Sequence, residues 1–405
     1  MSLGFSCPRG ARFRAATLLL GCASAAIGCG SGIDSPSDPA RTPSNQPFAP
    51  STSNDTVTAP SSSVVAPTAS KPSSEAQPTP ALAAPSTPAP AAAWQPPASI
   101  DPNTPVGRHG QLRVQGTTLV DKTGAPVQLK GVSTMWLNWE NRYSTSKAGL
   151  QWMRDNWQLS VIRAAMGVEP DGAYLKDPER MLGELRQVVH NAIDLGVYVL
   201  IDWHDHHAYD HQAQSVDFFT KIAGELGGFP NVLYETFNEP EQDPDWSTKI
   251  KPYHQAALAA IRSKDPDGVV ILGSRQWSQR PDEAIKDPVQ GDNLMYTVHF
   301  YACDHREPQR NEAQAAYDAG LALFVTEWGA TPADGGAKSP TVCEDEATLW
   351  HDWMDERNIG WAAWKLDACA DSSCLFNSKD APVAGGWTDQ WLNGHARFVV
   401  KKLTE

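Results

Sequence analysis

The sequence predicts an α/β fold in which eight parallel strands and their helices form a (β/α)8 TIM barrel. Short apolar segments rich in Val, Ile and Leu recur along the chain from Val127 onwards. Most precede a longer segment with helical periodicity, and this alternation is typical of parallel strands joined by right-handed crossovers. Eight such units in about 300 residues fit a closed barrel better than a doubly wound sheet, since no glycine-rich nucleotide loop follows the first strand.

The predicted elements begin with a short N-terminal β-hairpin, because Gln111–Val114 and Thr118–Val120 alternate around Gly116. The predicted barrel strands are Val127–Ser133, Val161–Ala165, Val197–Asp202, Val232–Asn238, Val269–Gly273, Leu294–His299, Leu321–Glu327 and Gly360–Trp364. The predicted helices are clearest at Pro178–Leu195, Gln214–Leu226, Lys249–Lys264, Glu344–Arg357 and near Gln390–Lys402.

The first 29 residues are typical of a bacterial export signal. Three arginines precede the apolar segment Ala15–Gly28, which is too short for a permanent membrane span. The pairs Gly21-Cys22 and Gly28-Cys29 resemble a lipobox, in which the cysteine is lipidated and becomes the mature N-terminus. We favour Cys29, with ordinary cleavage and free release as the alternative, and expect an exported protein tethered to the outer cell surface.

Residues 30–106 are rich in Pro, Ala, Ser and Thr, which predicts a disordered linker to a single catalytic domain at 107–405. The net charge of −14 argues against nucleic acid or anionic membrane surfaces as partners. We therefore expect a membrane contact through the lipid anchor alone, and a monomer without a cofactor.

Two predicted strands end in a glutamate. Val232–Pro240 closes with Asn238 and Glu239, and Leu323–Gly329 contains Glu327. Glycoside hydrolysis needs one protonated carboxyl and one carboxylate, and the C-terminal strand ends of a barrel meet at one face. We predict Glu239 as the acid/base, its pKa raised by burial, and Glu327 as the nucleophile, held ionised by Arg163.

Other polar and aromatic residues end neighbouring strands and are predicted to line the same face. These residues are Arg163, His204, Asn238, His299, Tyr301 and Trp364. Sugar rings stack on indoles, so Trp139, Trp277, Trp328 and Trp364 are candidate platforms, whereas Trp152, Trp157, Trp350, Trp353 and Trp361 fit core positions.

The segment His204–His211 contains four histidines and two aspartates, but their spacing matches no familiar zinc motif, and no metal site is predicted. The four cysteines of the barrel region allow three pairings. Cys369 and Cys374 are close in sequence, which favours 369–374 with 303–343 in an oxidising compartment.

Seven motifs in order resemble glycoside hydrolase family 5, specifically its bacterial endo-β-1,4-glucanase (cellulase) branch. They span about Gly110 to Leu403 and are Gln128–Ser133, Val161–Met166, Ala192–His204, Asn231–Pro240, Val298–Ala302, Phe324–Gly329 and Gly385–Trp387. The resemblance implies a retaining endoglucanase acting on cellulose or related β-glucans, with Glu239 as proton donor and Glu327 as nucleophile. It also implies that Asn238 binds the sugar 2-hydroxyl and that Trp364 and Trp139 lie on the glycone side.

Three departures from that family affect glycone recognition. Met135 replaces a histidine, Gly167 replaces a frequent tyrosine, and Cys369 and Asp371 occupy the places of a Lys-x-Glu pair, with Lys365 displaced to just after Trp364. A β-mannanase or mixed-linkage glucanase with the same two glutamates is therefore the alternative enzyme. A carbohydrate-binding protein without catalysis is the alternative from another class.

Overall fold

Eight parallel strands close into a barrel in a computed structural model that describes residues 94–334 and 341–405. A separate antiparallel hairpin, β1 (Arg113–Gln115) and β2 (Thr118–Val120), precedes it. The barrel strands are β3 (Lys130–Thr134), β4 (Val161–Gly167), β5 (Tyr198–His204), β6 (Val232–Glu235), β7 (Val269–Leu272), β8 (Leu294–Tyr301), β9 (Leu323–Gly329) and β10 (Trp361–Leu366). They pair in sequence order and β10 closes on β3, so the predicted fold class is confirmed.

Helices connect most of the strands. They are α1 (Pro105–His109), α2 (Lys147–Trp157), α3 (Pro178–Leu195), α4 (Gln212–Leu226), α5 (Lys251–Arg262), α6 (Arg275–Ser278), α7 (Glu307–Asp318), α8 (Glu344–Asp355) and α9 (Gly394–Thr404), with a π-helical turn at Trp246–Ile250 and a 3₁₀ turn at Pro281–Ile285. The predicted α3 is confirmed at both ends, and α2 and α7 are additions to the prediction. Among the described residues no helix is both long and apolar enough to cross a membrane.

The barrel interior has an apolar lower part and a polar upper part, because side chains alternate along each strand. In β5, Tyr198 and Leu200 point inward while Val199, Ile201 and Trp203 pack against the helices. The inward row of β5 continues upward to Asp202 and His204, both buried. Arg163 in β4 and Glu235 in β6 likewise follow apolar inward residues, as do Thr297 in β8 and Thr326 in β9.

The folded part of the chain begins before the predicted boundary between residues 106 and 107. The indole of Trp94 stacks on His190 of α3 with ring centroids 3.7 Å apart, and its Nε1 donates to Asp194 at 3.1 Å. Thr104 caps α1, and Val106 is buried. The linker prediction was wrong for residues 94–106, because Trp94 has a docking partner that composition does not reveal. The predicted signal and residues 30–93 lie outside the described residues.

Both predicted disulfides are present. Cys303 pairs with Cys343 and Cys369 with Cys374, at Cα–Cα distances of 5.3 and 5.8 Å. The first joins the loop after β8 to the start of α8, and the second closes a five-residue separation in the loop after β10. Both therefore restrain loops at the C-terminal ends of the strands.

Candidate active site

Arg163 lies at the centre of the polar layer. Its side chain is completely buried, with Nε 2.7 Å from Glu235 and Nη2 3.0 Å from Asp202. Burying a guanidinium is costly unless charge partners and hydrogen bonds replace its water. Glu235 and Asp202 supply this compensation and fix the orientation of the guanidinium.

The predicted nucleophile Glu327 is held at both carboxylate oxygens. Arg163 Nη1 donates to Oε2 at 2.9 Å, and the Tyr301 hydroxyl donates to Oε1 at 2.7 Å. With both oxygens held, the carboxylate has little rotational freedom. The structure therefore brings Glu327, Arg163 and Tyr301 together as the sequence predicts.

Asn238 presents a donor to the site. Its Oδ1 accepts from Arg163 Nη2 at 2.6 Å. Because arginine is only a donor, the amide atom facing it must be the oxygen. The Nδ2 group is buried and has no protein partner among the described residues, so it is available to a substrate hydroxyl.

The predicted acid/base Glu239 is linked to the centre through His299. Glu239 Oε1 lies 2.9 Å from His299 Nδ1, and His299 Nε2 lies 2.8 Å from the Thr326 hydroxyl. Thr326 in turn donates to Glu235 Oε1 at 2.6 Å. Since that hydroxyl donates to Glu235, its oxygen accepts from His299, so Nε2 carries a proton and Nδ1 faces Glu239.

The pKa of Glu239 is shifted in the direction opposite to the predicted one. Burial raises it, but the hydrogen bond and positive charge of His299 outweigh burial, so the pKa of Glu239 is lowered. Burial alone would lower the pKa of His299, but its bonds to Glu235 and Glu239 raise it to about 9. The two groups titrate as a coupled pair.

His204 is neutral in this environment. Its Nδ1 lies 2.6 Å from Asp202 Oδ2, and burial together with the nearby Arg163 charge lowers its pKa to about 3. The imidazole is stacked on Trp364 with ring centroids 5.3 Å apart. It therefore lies in the polar layer between Asp202 and Trp364.

A row of aromatic rings leads outward from this centre. Trp136 contacts His204 edge-on, with centroids 4.6 Å apart, and stacks on Trp139 at 4.7 Å. Trp139 is 51% exposed, and with Trp364 the row is continuous from buried to exposed. The predicted platforms Trp364 and Trp139 are therefore joined through His204 and Trp136.

Trp328 does not belong to this surface. It is fully buried against His351, Trp361 and Phe398 of the outer layer. The prediction of a platform there was wrong, because Trp328 follows Glu327 and points to the opposite face of β9. Trp277 is half-buried, and its backbone N–H donates to Pro240 in the loop that carries Glu239.

The structure accounts for two of the three departures from the family pattern, those at Gly167 and at the Lys-x-Glu pair. Lys365 Nζ lies 3.0 Å from Asp371 Oδ2, and Asp371 lies inside the loop closed by Cys369 and Cys374. A Cβ atom on Gly167 would lie 2.1 Å from Asn138 Oδ1, so the loop after β3 occupies the space of a side chain there. The lysine and the carboxylate are thus both present, the lysine from a shifted position.

Four residues of the site are not among those predicted from the sequence: Asp202, Glu235, Thr326 and Trp136. The first three lie inside strands that read as apolar. Each of these three residues lies two positions after an apolar residue that points into the barrel, namely Leu200, Leu233 or Phe324. Because side chains alternate along a strand, this spacing could have identified Asp202, Glu235 and Thr326 as inward-facing.

Carboxylate oxygens of Glu239 and Glu327 approach within 4.8 Å across the barrel mouth. A (β/α)8 barrel with two such carboxyl groups at strand ends has the fold and site of a glycoside hydrolase. The sequence profile described as cellulase, glycosyl hydrolase family 5, matches residues 120–370. The chain belongs to this family.

Several curated relatives and solved structures are similar to the chain. An endoglucanase of Clostridium saccharobutylicum is 38% identical over 297 residues, covering 73% of this chain and 65% of the relative. Endoglucanase 5 of Pectobacterium carotovorum is 37% identical over 303 residues, covering 74% and 59%. The chain thus spans less than two thirds of these two relatives.

Solved catalytic domains match more completely. The catalytic domain of a Thermobifida fusca endoglucanase has a TM-score of 0.70 and 32% identity, covering 75% of this chain and all of that domain. A variant of that domain in complex with cellotetraose has a TM-score of 0.70 and 31% identity, with the same coverage.

Proposed function

We propose that the protein is a retaining endo-β-1,4-glucanase that cleaves internal bonds of cellulose or related β-glucans. The observation that carries this proposal is the approach of Glu239 and Glu327 carboxylate oxygens to within 4.8 Å. Retaining glycosidases hold their carboxyl groups about 5–5.5 Å apart, whereas inverting enzymes need about 6.5–9.5 Å for a water. The names of the relatives, endoglucanases, and the cellotetraose bound to one similar structure support the glucan.

In the first step Glu327 attacks the anomeric carbon while the Glu239–His299 pair gives a proton to the departing glycosidic oxygen. Arg163 and Tyr301 hold the attacking carboxylate, each through one hydrogen bond. Asn238 Nδ2 faces the site as a donor for the hydroxyl next to the reacting carbon. The glycosidic bond breaks and a glycosyl ester with Glu327 forms.

In the second step water displaces the sugar, with Glu239 as general base. Ester formation removes the negative charge of Glu327, which helps to raise the pKa of His299 in the free enzyme. Losing that charge lowers the proton affinity of the His299–Glu239 pair. Glu239 is thereby left as a carboxylate when a base is needed.

The decisive experiment is hydrolysis of a panel of polysaccharides by the purified protein, with Glu327→Ala as the blank. Reducing sugar is measured on carboxymethyl cellulose, mixed-linkage β-glucan, mannan and xylan, and viscosity on the first. Cleavage of carboxymethyl cellulose with a fast fall in viscosity is expected. Activity on mannan but not on carboxymethyl cellulose would identify the alternative enzyme, a β-mannanase. A Glu327→Ala variant as active as wild type would refute the assignment of Glu327 as the nucleophile.

We also propose that the protein is exported and tethered to the outer cell surface by a lipid on Cys29. The arginines, the apolar segment and the Gly28-Cys29 pair support this proposal. Labelled fatty acid should enter the protein, and Cys29→Ala should abolish labelling. Labelling lost only in Cys22→Ala would place the lipid on Cys22 instead. Release of the protein without lipid would refute the proposal.

We propose that the enzyme acts as a monomer, because the catalytic side chains described above all come from one chain. Light scattering after size-exclusion chromatography should give the mass of a single chain at working concentrations. A stable dimer with the same activity per chain would contradict the proposed oligomeric state alone.

A further inference from the structure

A second cluster of histidines and carboxylates lies on the rim of the barrel, outside the reaction described above. Glu169 follows β4, Asp205, His207 and His211 follow β5, and Glu241 follows β6. Ligand-type atoms of Glu169, Asp205 and His207 all lie within 4.8 Å of one another. The three loops therefore place imidazole nitrogens and carboxylate oxygens in one small volume.

His207 faces a carboxylate with each ring nitrogen. Its Nε2 lies 3.3 Å from Glu241 Oε2, and its Nδ1 lies 3.0 Å from Glu169 Oε1. A carboxylate only accepts, so in the neutral tautomer that donates from Nε2 to Glu241 the lone pair of Nδ1 points to Glu169.

His211 also lies between two carboxylates, but its two ring nitrogens have exchanged roles relative to those of His207. Its Nδ1 lies 2.9 Å from Asp205 Oδ2, and its Nε2 lies 4.0 Å from Glu169 Oε1. Asp205 is fully buried and also accepts from the Trp203 indole and the His207 backbone N–H, so its position is fixed. Donation from Nδ1 to Asp205 leaves the lone pair of Nε2 directed at Glu169.

Metal-binding histidines usually donate their second ring N–H to a carboxylate or carbonyl, which orients the ring and raises its basicity. His211 has such an acceptor in Asp205, the Glu241 carboxylate lies 3.3 Å from His207 Nε2, and the two remaining ring nitrogens face Glu169. We propose that His207 Nδ1, His211 Nε2 and a Glu169 oxygen bind a Zn²⁺ ion, with Asp205 and Glu241 as outer acceptors and water as the fourth ligand.

Two of the three ligand separations are close to those that this ion requires. Zinc binds nitrogen and oxygen at about 2.0–2.2 Å, so tetrahedral ligand atoms lie roughly 3.3–3.5 Å apart. The separations of Glu169 Oε1 from His207 Nδ1 and His211 Nε2, 3.0 and 4.0 Å, lie on either side of that value. The side chains of His207 and Glu169 are each 36% exposed, so the ion can enter from solvent.

The site would join the loops after β4 and β5 and, through Glu241, reach the loop that carries the acid/base. The Glu239 backbone N–H donates to the Asp205 carbonyl at 3.3 Å, and Glu241 follows two residues later. Zinc binding therefore stabilises the loops around Glu239 without entering the reaction. This site does not depend on the identity of the sugar substrate.

The test is calorimetric titration of the full chain with Zn²⁺ after chelator treatment, together with thermal unfolding. Wild type should bind one ion per chain and unfold at a higher temperature with zinc. His207→Gln and His211→Gln should each weaken binding by about 10-fold or more. His109→Gln, a half-buried histidine outside the cluster, is the matched control and should bind as wild type does.

Cysteines of the N-terminal segment could also hold zinc, and Co²⁺ substitution distinguishes them. A cobalt spectrum with ligand-field bands and without a thiolate charge-transfer band supports the histidine site. The proposal is overturned if wild type shows no zinc-dependent heat or stabilisation. It is equally overturned if the double variant His207→Gln/His211→Gln binds zinc as tightly as wild type.

Discussion

The polar layer inside the barrel and the aromatic row on its rim differ in how their side chains are held. In the layer, Arg163 and Glu235 are completely buried, and each contacts several charged or hydroxyl partners. On the rim, Trp139 is 51% exposed and is held mainly by stacking on Trp136. The layer sits on strands, whereas Trp136 and Trp139 of the row sit on the loop after β3.

This difference separates chemistry from recognition. Glu235 is linked to both halves of the proposed catalytic apparatus, through Arg163 to Glu327 and through Thr326 to His299. A change in the layer should therefore alter rate, pH dependence or folding. A change on the rim should alter sugar binding alone, because among the described contacts no hydrogen bond joins the indoles of Trp136 and Trp139 to Glu239 or Glu327.

The largest effect is expected from Glu239→Gln. The amide cannot supply or accept the proton, so kcat on a polysaccharide should fall about 10²–10⁴-fold. Substrates with activated leaving groups need less help from an acid, so the variant should form the glycosyl-enzyme from them faster than from a polysaccharide. A burst of released leaving group would reveal this. Glu225→Gln, on the helical surface, should keep wild-type kinetics, and a Glu239→Gln variant with wild-type kcat would exclude Glu239 as the acid/base.

The next largest effect is expected from Arg163→Met, which should lower the free energy of unfolding. Removing the guanidinium leaves Glu235 and Asp202 buried without their cation, and breaking such a pair costs about 3–5 kcal/mol. Arg186→Met breaks a surface bridge to Glu225 and should cost about 1 kcal/mol or less. Urea unfolding of both variants gives the comparison, and equal losses would show that the buried layer is not specially dependent on Arg163.

The layer and the rim were predictable from sequence to different degrees. Strand ends identified Arg163, Glu239, His299 and Glu327, because parallel strands bring their C-terminal ends to one face. The direction of the Glu239 pKa was not predictable, since it depends on a 2.9 Å contact with His299, a residue 60 positions away. No local pattern encodes such a distance.

The rim was harder to predict because its loop residues depend on one another. Trp136 is half-buried, bridges His204 and Trp139, and has a ring carbon 3.0 Å from the position of a Cβ on Gly167. Read separately, Gly167 looked like the loss of a side chain. Together the two residues show that a loop has filled that space.

His299→Gln tests the acid/base half of the layer through pH. In wild type the His299–Glu239 pair keeps its proton until pH rises through the His299 pKa of about 9, so activity should fall above that pH. Without the imidazolium, Glu239 must hold the proton alone, and the basic limb of kcat/KM should move to lower pH. An unchanged basic limb of the kcat/KM profile would contradict the coupled titration of His299 and Glu239.

A substitution at Thr326 should perturb the same His299–Glu239 pair more weakly. Thr326→Val removes the acceptor of the Nε2 proton, so it should move the limb in the same direction by less, whereas Thr326→Ser retains the hydroxyl and should restore the wild-type profile.

The smallest effects are expected on the rim, from Trp136→Ala and Trp139→Ala. Loss of one stacking contact costs roughly 0.5–1.5 kcal/mol, or about 2–10-fold in kcat/KM. Trp136 lies nearer to His204, so its loss should affect short and long oligosaccharides, whereas loss of the exposed Trp139 should affect only the longer ones. Trp139→Phe keeps a stacking face and should recover most of the loss. Both alanine variants should keep the wild-type pH profile, because neither indole contacts the His299–Glu239 pair, and a shifted basic limb would show that rim and layer are coupled.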